Sequence, residues 1–148
     1  MSHIEIVLRE DARPDTRFYY REQFKIYHEP YLIWNWMTWE TVLSSCTVYR
    51  VEVDGAYAGD VILEEKGRGG LYLVDFSLLP EYQAGGIGRK VIDQVKTMAR
   101  KLTATTRKET LGFFLKTGFT LRKRLKNFYD DGIDGYDVVY VRARRLPP

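Results

Sequence analysis

The sequence has little of what disulfide frameworks and zinc sites require. One of its 148 residues is cysteine, Cys46, and two are histidine, His3 and His28. A single cysteine forms no disulfide within the chain, which suits a reducing compartment, and two distant histidines with one cysteine lack zinc-ligand spacing. We therefore expect no metal and no internal disulfide.

Long hydrophobic runs and a strong excess of one charge are also missing. Residues 1–10, MSHIEIVLRE, alternate apolar and charged side chains, which is typical of neither a signal peptide nor a membrane span. The net charge is only +3. Basic residues concentrate at 122–126 and 142–145, where a solvated surface and attraction of a polyanionic ligand both stay open. The sequence predicts a cytoplasmic protein, with no membrane and no nucleic-acid partner.

The hydrophobic pattern predicts one mixed α/β domain over residues 1–148. Strands are indicated at 3–9, 47–53, 56–65, 71–79, 101–106, 119–129 and 136–144. Helices are indicated at 16–28, from 38, from 87 and at 107–117. We expect Asp15 to cap the first helix, Pro30 to stop it, and Thr106 to Glu109 to form a capping box. The order of elements is not a regular βαβ repeat.

Residues 83–91, QAGGIGRKV, contain three glycines followed by a basic pair. A P-loop needs a Ser or Thr after its lysine, and a Rossmann fingerprint needs a third glycine; Val91 stands in that place. Glycines still allow a tight turn and close approach of a ligand, and the following helix N-terminus favours an anion. A phosphate-binding loop and a plain strand-to-helix turn both stay open on these residues alone.

Three stretches carry a family resemblance. LLPEYQAGGIGRKVI (78–92) resembles the acetyl-CoA pyrophosphate loop, [RQ]-x-x-G-x-[GA], of the GNAT superfamily of N-acetyltransferases. LGFFLKTGF (111–119) resembles that family's later helix, and NFYDDGIDGYDVVYV (127–141) is similar to the closing hairpin of ribosomal-protein alanine and N-terminal acetyltransferases. The resemblance covers residues 71–141 and implies the GNAT α/β (α+β) fold. Such a fold has a central mixed, mostly antiparallel twisted sheet of six to seven strands, flanked by about four helices.

The resemblance implies acetyl-CoA as cosubstrate. Backbone N–H groups from Ala84 to Arg89 would hold the pyrophosphate, and the end of the preceding strand would bind the pantetheine arm. The Leu78 N–H would face the thioester oxygen, where a preorganised donor contributes most to rate. The expected cofactor-binding residues are Phe76, Ser77, Leu78, Leu79, Gln83, Ala84, Gly85, Gly86, Ile87, Gly88, Arg89, Phe114 and Lys116.

The resemblance also suggests the base that the reaction needs, because an alkyl amine of pKa about 10.4 is mostly protonated at neutral pH. Tyr72 stands where some N-terminal acetyltransferases carry a tyrosine that works through water. Asp75 stands where polyamine-type members carry an acidic strand residue. Three positions apart on a strand, the two side chains face opposite sides unless a bulge intervenes, and a structural role stays open for each.

Phe114 occupies the position of the family's usual general acid, a tyrosine, and has no proton to give. A thiolate of pKa about 8.5 leaves readily, and acid assistance is worth about 10²–10⁴-fold, so its loss would slow the reaction rather than prevent it. Tyr129 of the hairpin is a candidate substitute, although a packed aromatic is the alternative. Leu102 and Arg107 roughly occupy places where many relatives carry a polar catalytic residue and an asparagine.

Three functions therefore stay open. The hairpin favours an N-acetyltransferase acting on a protein N-terminus or lysine, and Asp75 favours a small-molecule amine or polyamine acetyltransferase. Phe114 favours a weakly catalytic acyl-CoA-binding module. The protein is expected to be a monomer or a homodimer, with the final strand, 136–144, as an exposed edge for pairing across a two-fold axis.

Overall fold

The computed structural model of the protein describes residues 3–143. Its strands are β1 Ile6–Glu10, β2 Thr47–Val53, β3 Ala56–Glu65, β4 Gly70–Leu78, β5 Lys101–Thr106, β6 Thr120–Asp130 and β7 Ile133–Val141. Its α-helices are α1 Thr16–Glu22, α2 Trp36–Ser45, α3 Ile87–Lys96 and α4 Lys108–Lys116. Short 3-10 turns lie at Gln23–Lys25, Pro30–Leu32 and Pro80–Tyr82. The predicted fold class and order of elements are confirmed.

The strands form one sheet in the order β1-β2-β3-β4-β5-β7-β6. The strand pairs β1–β2, β2–β3, β5–β7 and β6–β7 are antiparallel. The final strand, β7, inserts between β5 and β6, so its prediction as an exposed edge was wrong. It pairs on both sides, and β6 forms the edge instead. Arg144, the end of that predicted strand, lies outside the described residues.

Contacts concentrate in two compact units, Met1–Glu64 with Leu73–Val91 and Glu65–Tyr72 with Ile92–Pro148. In the first unit, Tyr19 of α1 packs with Trp39 and Leu43 of α2 against Val48 and Ile62 of the sheet. In the second unit, the buried apolar residues include Leu102, Ala104, Phe114, Phe119 and Val138. None of the helices within residues 3–143 is long and apolar enough to cross a membrane.

The first two helices differ in extent from their predictions. Asp15 does cap α1, accepting a hydrogen bond from the Arg17 N–H at 3.1 Å, but the α-helix ends at Glu22. The buried Gln23 amide explains this end, because it donates to the Trp34 carbonyl and accepts from the Trp34 N–H, both at 2.9 Å. The α2 helix begins at Trp36, earlier than predicted, because Asn35 caps it by accepting from the Thr38 N–H.

The capping box predicted at the start of α4 was wrong. The helix begins at Lys108 with Arg107 as its N-cap, and no side chain caps it. Glu109 is therefore the second helical residue, one short of the position from which a carboxylate reaches back to the cap. Thr106 ends β5, and its hydroxyl hydrogen-bonds with that of Thr110 instead.

Candidate active site

The glycine loop joins the end of β4 to α3. Gly85 and Gly86 have φ angles of +80° and +78°, a region that favours glycine, and α3 begins directly after them at Ile87. A Cβ added at either glycine would meet nothing within 4 Å, so the space above this backbone is open. The Gln83 amide donates to the Leu78 carbonyl at 2.9 Å and ties the loop to the end of the strand.

This loop suits a pyrophosphate group. Ala84, Gly85, Gly86 and Arg89 are exposed, whereas Ile87 is buried, so only the backbone of Ile87 is available to a ligand. The N–H groups of the first turn of a helix lack intrahelical partners, and the helix dipole favours an anion there. Open space, glycine backbone and a ten-residue helix thus occur together. The residues present fit the cosubstrate that the family resemblance implies.

The last residues of β4 are largely committed to contacts within the first unit. Ser77 and Leu78 are buried, and the Leu79 N–H donates to the Ala58 carbonyl at 2.8 Å. The Ser77 hydroxyl donates to Asp60 Oδ2 at 3.2 Å. The predicted roles of Phe76 to Leu79 toward pantetheine therefore concern their backbone, and they stay predictions.

Asp75, the candidate base on β4, has a carboxyl neighbour that the sequence did not reveal. Its side chain hydrogen-bonds with Asp60 of β3, and Ser77 hydrogen-bonds with both. Asp60 is only 4% exposed, whereas Asp75 is half-buried. Burial, the charge of Asp75 and the hydrogen bond that protonated Asp60 shares with Asp75 all raise the pKa of Asp60. Burial also raises the pKa of Asp75, while its hydrogen bonds with Asp60 and Ser77 partly offset this.

Polar groups of α1, β2 and β3 surround this carboxyl pair. Tyr19 donates to Asp11 at 2.7 Å, and the guanidinium of Arg50 lies 4.6 Å from the Phe18 ring centroid and 5.2 Å from that of Tyr57. Burial is the largest cause of the raised pKa of Tyr57. Within residues 3–143, buried side-chain atoms without a hydrogen-bond partner include Glu22 Oε2, Arg50 Nε, Tyr57 Oη and Asp60 Oδ1. Most of these atoms belong to one electrostatically coupled cluster.

Asp60→Asn is expected to stabilise the fold at alkaline pH and to change it little near pH 4. Because the folded pKa of Asp60 is raised, its contribution is fully present below the unfolded value, about 3.9, and is lost as the pH rises through the folded value. Asparagine never acquires the buried charge. We therefore expect Asp60→Asn to be more stable than the wild type at pH 8, where the unfolded chain has lost the proton that the folded protein retains. Thermal unfolding from pH 4 to pH 9 measures this difference.

The exposed Asp93 provides the control for this measurement, since Asp93→Asn removes a carboxylate from the surface of α3. Surface ion pairs are worth at most about 1 kcal/mol, so no comparable gain with pH is expected. If the thermal stability of Asp60→Asn changes with pH in parallel with that of the wild type, the pKa of Asp60 is not raised in the folded protein.

The other two candidate catalytic residues meet at one residue of the second unit. The Tyr72 hydroxyl donates to Thr105 Oγ1 at 2.9 Å, and the Tyr129 hydroxyl donates to the Thr105 carbonyl at 3.1 Å. Thr105 lies on β5, half-buried, and sequence reasoning gave it no role. The structure therefore brings Tyr72 and Tyr129 together, while Asp75 has its own partners in the first unit.

Phe114 and Lys116 lie on α4 in the second unit. Phe114 is 7% exposed and packs edge to face against Phe113 and Phe119, with ring centroids 5.3 and 5.1 Å apart. Lys116 is exposed at the end of the helix. Leu102, at the place of a polar residue in many relatives, is completely buried. These contacts are those of a packed core, and the predicted contact of Phe114 and Lys116 with acetyl-CoA stays a prediction.

A family model described as the acetyltransferase (GNAT) family matches residues 8–119. The chain belongs to this family. The match begins well before the glycine loop, so it includes the N-terminal half of the GNAT domain, where no sequence motif carried the resemblance. The predicted family is confirmed, and with it acetyl-CoA as the cosubstrate of an N-acetyltransferase.

Solved structures of other GNAT proteins share the fold. The ribosomal-protein-S18-alanine N-acetyltransferase from Escherichia coli is 15% identical, with a TM-score of 0.78 over 96% of this chain and 97% of that one. A GNAT acetyltransferase from Elizabethkingia anophelis with acetyl-CoA bound is 18% identical, with a TM-score of 0.70 over 94% and 98%. A chimeric spermidine N-acetyltransferase from Vibrio cholerae is 16% identical, with a TM-score of 0.73 over 92% and 95%. No curated protein matches the sequence.

Proposed function

We propose that this GNAT chain acetylates the primary amine of a polypeptide, at a protein N-terminus or a lysine side chain. The observation that carries the proposal is the shared anchoring of Tyr72 and Tyr129 on Thr105. Tyr129 belongs to the hairpin that resembles ribosomal-protein alanine acetyltransferases, and Tyr72 stands at the strand position of a water-activating tyrosine. The similar fold of the S18-alanine enzyme is consistent with this acceptor class.

The proposed chemistry assigns binding to the backbone and proton transfer to side chains. The loop from Gln83 to Arg89 would hold the pyrophosphate, and the Leu78 N–H would stabilise the oxyanion of the tetrahedral intermediate. An amine must lose a proton before its nitrogen attacks the thioester carbon. Tyr72 acting through water, or Asp75 directly, would receive that proton, and the CoA thiolate would leave and be protonated, with Tyr129 as the candidate donor.

A second acceptor class is a small amine or polyamine. The observation that favours it is the buried acidic cluster around Asp75, which includes Asp60 and a buried oxygen of Glu22. Carboxylates beside aromatic rings suit an ammonium group, through charge and through the faces of the rings. The spermidine enzyme of similar fold is consistent with this alternative.

Turnover of acetyl-CoA with three acceptor panels tests the proposal. The panels are peptides with free N-termini, lysine-bearing proteins with blocked N-termini, and polyamines, each assayed by thiol release and by mass spectrometry of the product. We expect kcat/KM to be highest with peptides or proteins. Preference for polyamines would support the second class, and tight acetyl-CoA binding without any turnover would contradict both and indicate a binding module.

Asp75→Asn and Tyr72→Phe are expected to differ in the pH dependence of kcat/KM. If Asp75 is the base, its amide variant loses at least about tenfold at neutral pH, within the range typical of general bases. If Tyr72 orders the water instead, Tyr72→Phe shows that loss while keeping the aromatic packing. Acetyl-CoA affinity, measured by calorimetry, serves as the control and should be unchanged. A loss below tenfold in both variants would place the base elsewhere.

A further inference from the structure

Asp60 is a buried carboxyl with no role in the proposed chemistry. We propose that Asp60 is a positioning residue: it is held protonated and donates a hydrogen bond that keeps the Asp75 carboxylate charged and oriented. The inference rests on the proposed function through the role of Asp75 as base. It adds to that function a residue on a neighbouring strand that no motif identifies.

The geometry shows why one of the two carboxyls carries a proton. Asp60 and Asp75 hydrogen-bond with each other, and two carboxylates form such a bond only when one of them is protonated. Asp60 is 4% exposed, while Asp75 is half-buried. The charged form costs more at the more buried site, so the proton belongs on Asp60. Asp60 Oδ1 is buried, and it accepts a hydrogen bond from no donor within residues 3–143.

The charged groups around the pair agree with this assignment. On α1, Tyr19 donates to Asp11, and Glu22 contributes a further buried oxygen. On β3 and β4, Tyr57 is neutral at physiological pH, and the Ser77 hydroxyl donates to Asp60 Oδ2. Arg50 of β2 is the nearby cation, and its guanidinium lies over the rings of Phe18 and Tyr57. If Asp60 were ionised beside the Asp75 carboxylate, the Ser77 hydroxyl would be its one hydrogen-bond donor among these groups.

The hydrogen bond from Asp60 opposes the effect of burial on Asp75. Burial raises the pKa of Asp75, and the Asp60 hydrogen bond lowers it again. Asp75 is thereby ionised when the acceptor arrives and can take one proton from its ammonium group. The freed amine then forms the C–N bond of the tetrahedral intermediate. The C–S bond breaks when this intermediate collapses, and the remaining extra proton on nitrogen passes to the CoA thiolate. Asp75 returns its proton to solvent, and Asp60 keeps its own throughout.

Two substitutions at Asp60 separate this role from a packing role. Asp60→Asn keeps a neutral donor of the same shape, so kcat/KM should stay within about threefold of the wild type. Asp60→Val keeps the approximate volume but removes the donor. We expect the kcat/KM of Asp60→Val to fall about tenfold at pH 7 and to recover at higher pH, because the acidic limb of its pH profile moves to higher pH. Its acetyl-CoA affinity should be unchanged. Asp11→Asn, which alters the neighbouring carboxylate that Tyr19 contacts, should leave the profile in place.

Carboxyl carbon NMR of the unliganded protein tests the same inference without turnover. In the wild type and in Asp11→Asn, the Asp60 signal should keep its protonated position through the pH range in which Asp75 ionises. In Asp60→Val, Asp75 should ionise at higher pH. Ionisation of Asp60 before Asp75, or an Asp60→Asn variant as impaired as Asp60→Val, would overturn the inference. The absence of acetylation by a wild type whose carboxyls titrate as expected would overturn the proposed function alone.

Discussion

In a thermal shift assay, Gly86→Glu is expected to lose the stabilisation that acetyl-CoA gives the wild type. Gly86 has a φ of +78° and open space beyond its Cα, in the loop that precedes α3. A glutamate there places a carboxylate where we expect the pyrophosphate, and it opposes the charge preference of the helix N-terminus. At 100 times its Kd, a ligand stabilises its protein by about 2.7 kcal/mol, or about 5–10 °C in Tm for a chain of this size.

Gly67→Glu is the matched control for this experiment. Gly67 also has a positive φ, +68°, and a Cβ added there would meet nothing within 4 Å. It lies in the turn between β3 and β4, outside the glycine loop. Both variants should lose about 1–2 kcal/mol of stability through the left-handed backbone. Only the Gly86 variant should also lose the response to acetyl-CoA. An unchanged ligand shift in Gly86→Glu would refute the assignment of the loop.

The second large effect is expected at Gly59, where Ala should destabilise the fold by about 3 kcal/mol. A Cβ at this position of β3 would lie 1.9 Å from the Ser77 carbonyl oxygen and 2.9 Å from Leu78 Cα. Both are backbone atoms of β4, so no side-chain rotation relieves the clash. Urea unfolding should show a midpoint lower by about 1–3 M, because slopes of about 1–3 kcal/mol per M are usual.

Gly112→Ala, also a glycine-to-alanine change, is expected to stabilise the fold rather than destabilise it. Gly112 lies within α4, and a Cβ there meets nothing within 4 Å. Alanine should therefore stabilise the helix by about 0.5–1 kcal/mol. If Gly59→Ala has the same urea midpoint as the wild type, β3 and β4 do not approach each other closely at Gly59.

The features that could be predicted from the sequence are those that depend on residues close together in the chain. The bounds of β2, β3 and β5 match the predictions because alternating side chains define them and Asp54-Gly55 forms the expected turn, with φ angles of 50° and 85°. The glycine loop was identifiable because its residues are consecutive. Both features depend on interactions over a few positions, which a single sequence displays directly.

The contacts that define the candidate catalytic groups were not predictable in this way. Asp60 pairs with Asp75, 15 positions further on, and Thr105 receives hydroxyls from residues 33 and 24 positions away. Such pairs depend on which strands are neighbours and in what register, and a one-residue change in register moves a side chain to the other face. The end of α1 was missed for a related reason, since it depends on Gln23 meeting the backbone of Trp34.

The edge position of β6 has a consequence for the behaviour of the protein at high concentration. An edge strand offers unpaired backbone groups on which other chains can form cross-β aggregates. β6 has eleven residues, and its first seven include Arg122, Lys123, Arg124 and Lys126. Its register with β7 shifts twice, which interrupts a flat ladder. The like charges and the interrupted register make β6 a poor template, and so the strand protects the sheet from aggregation at its open edge.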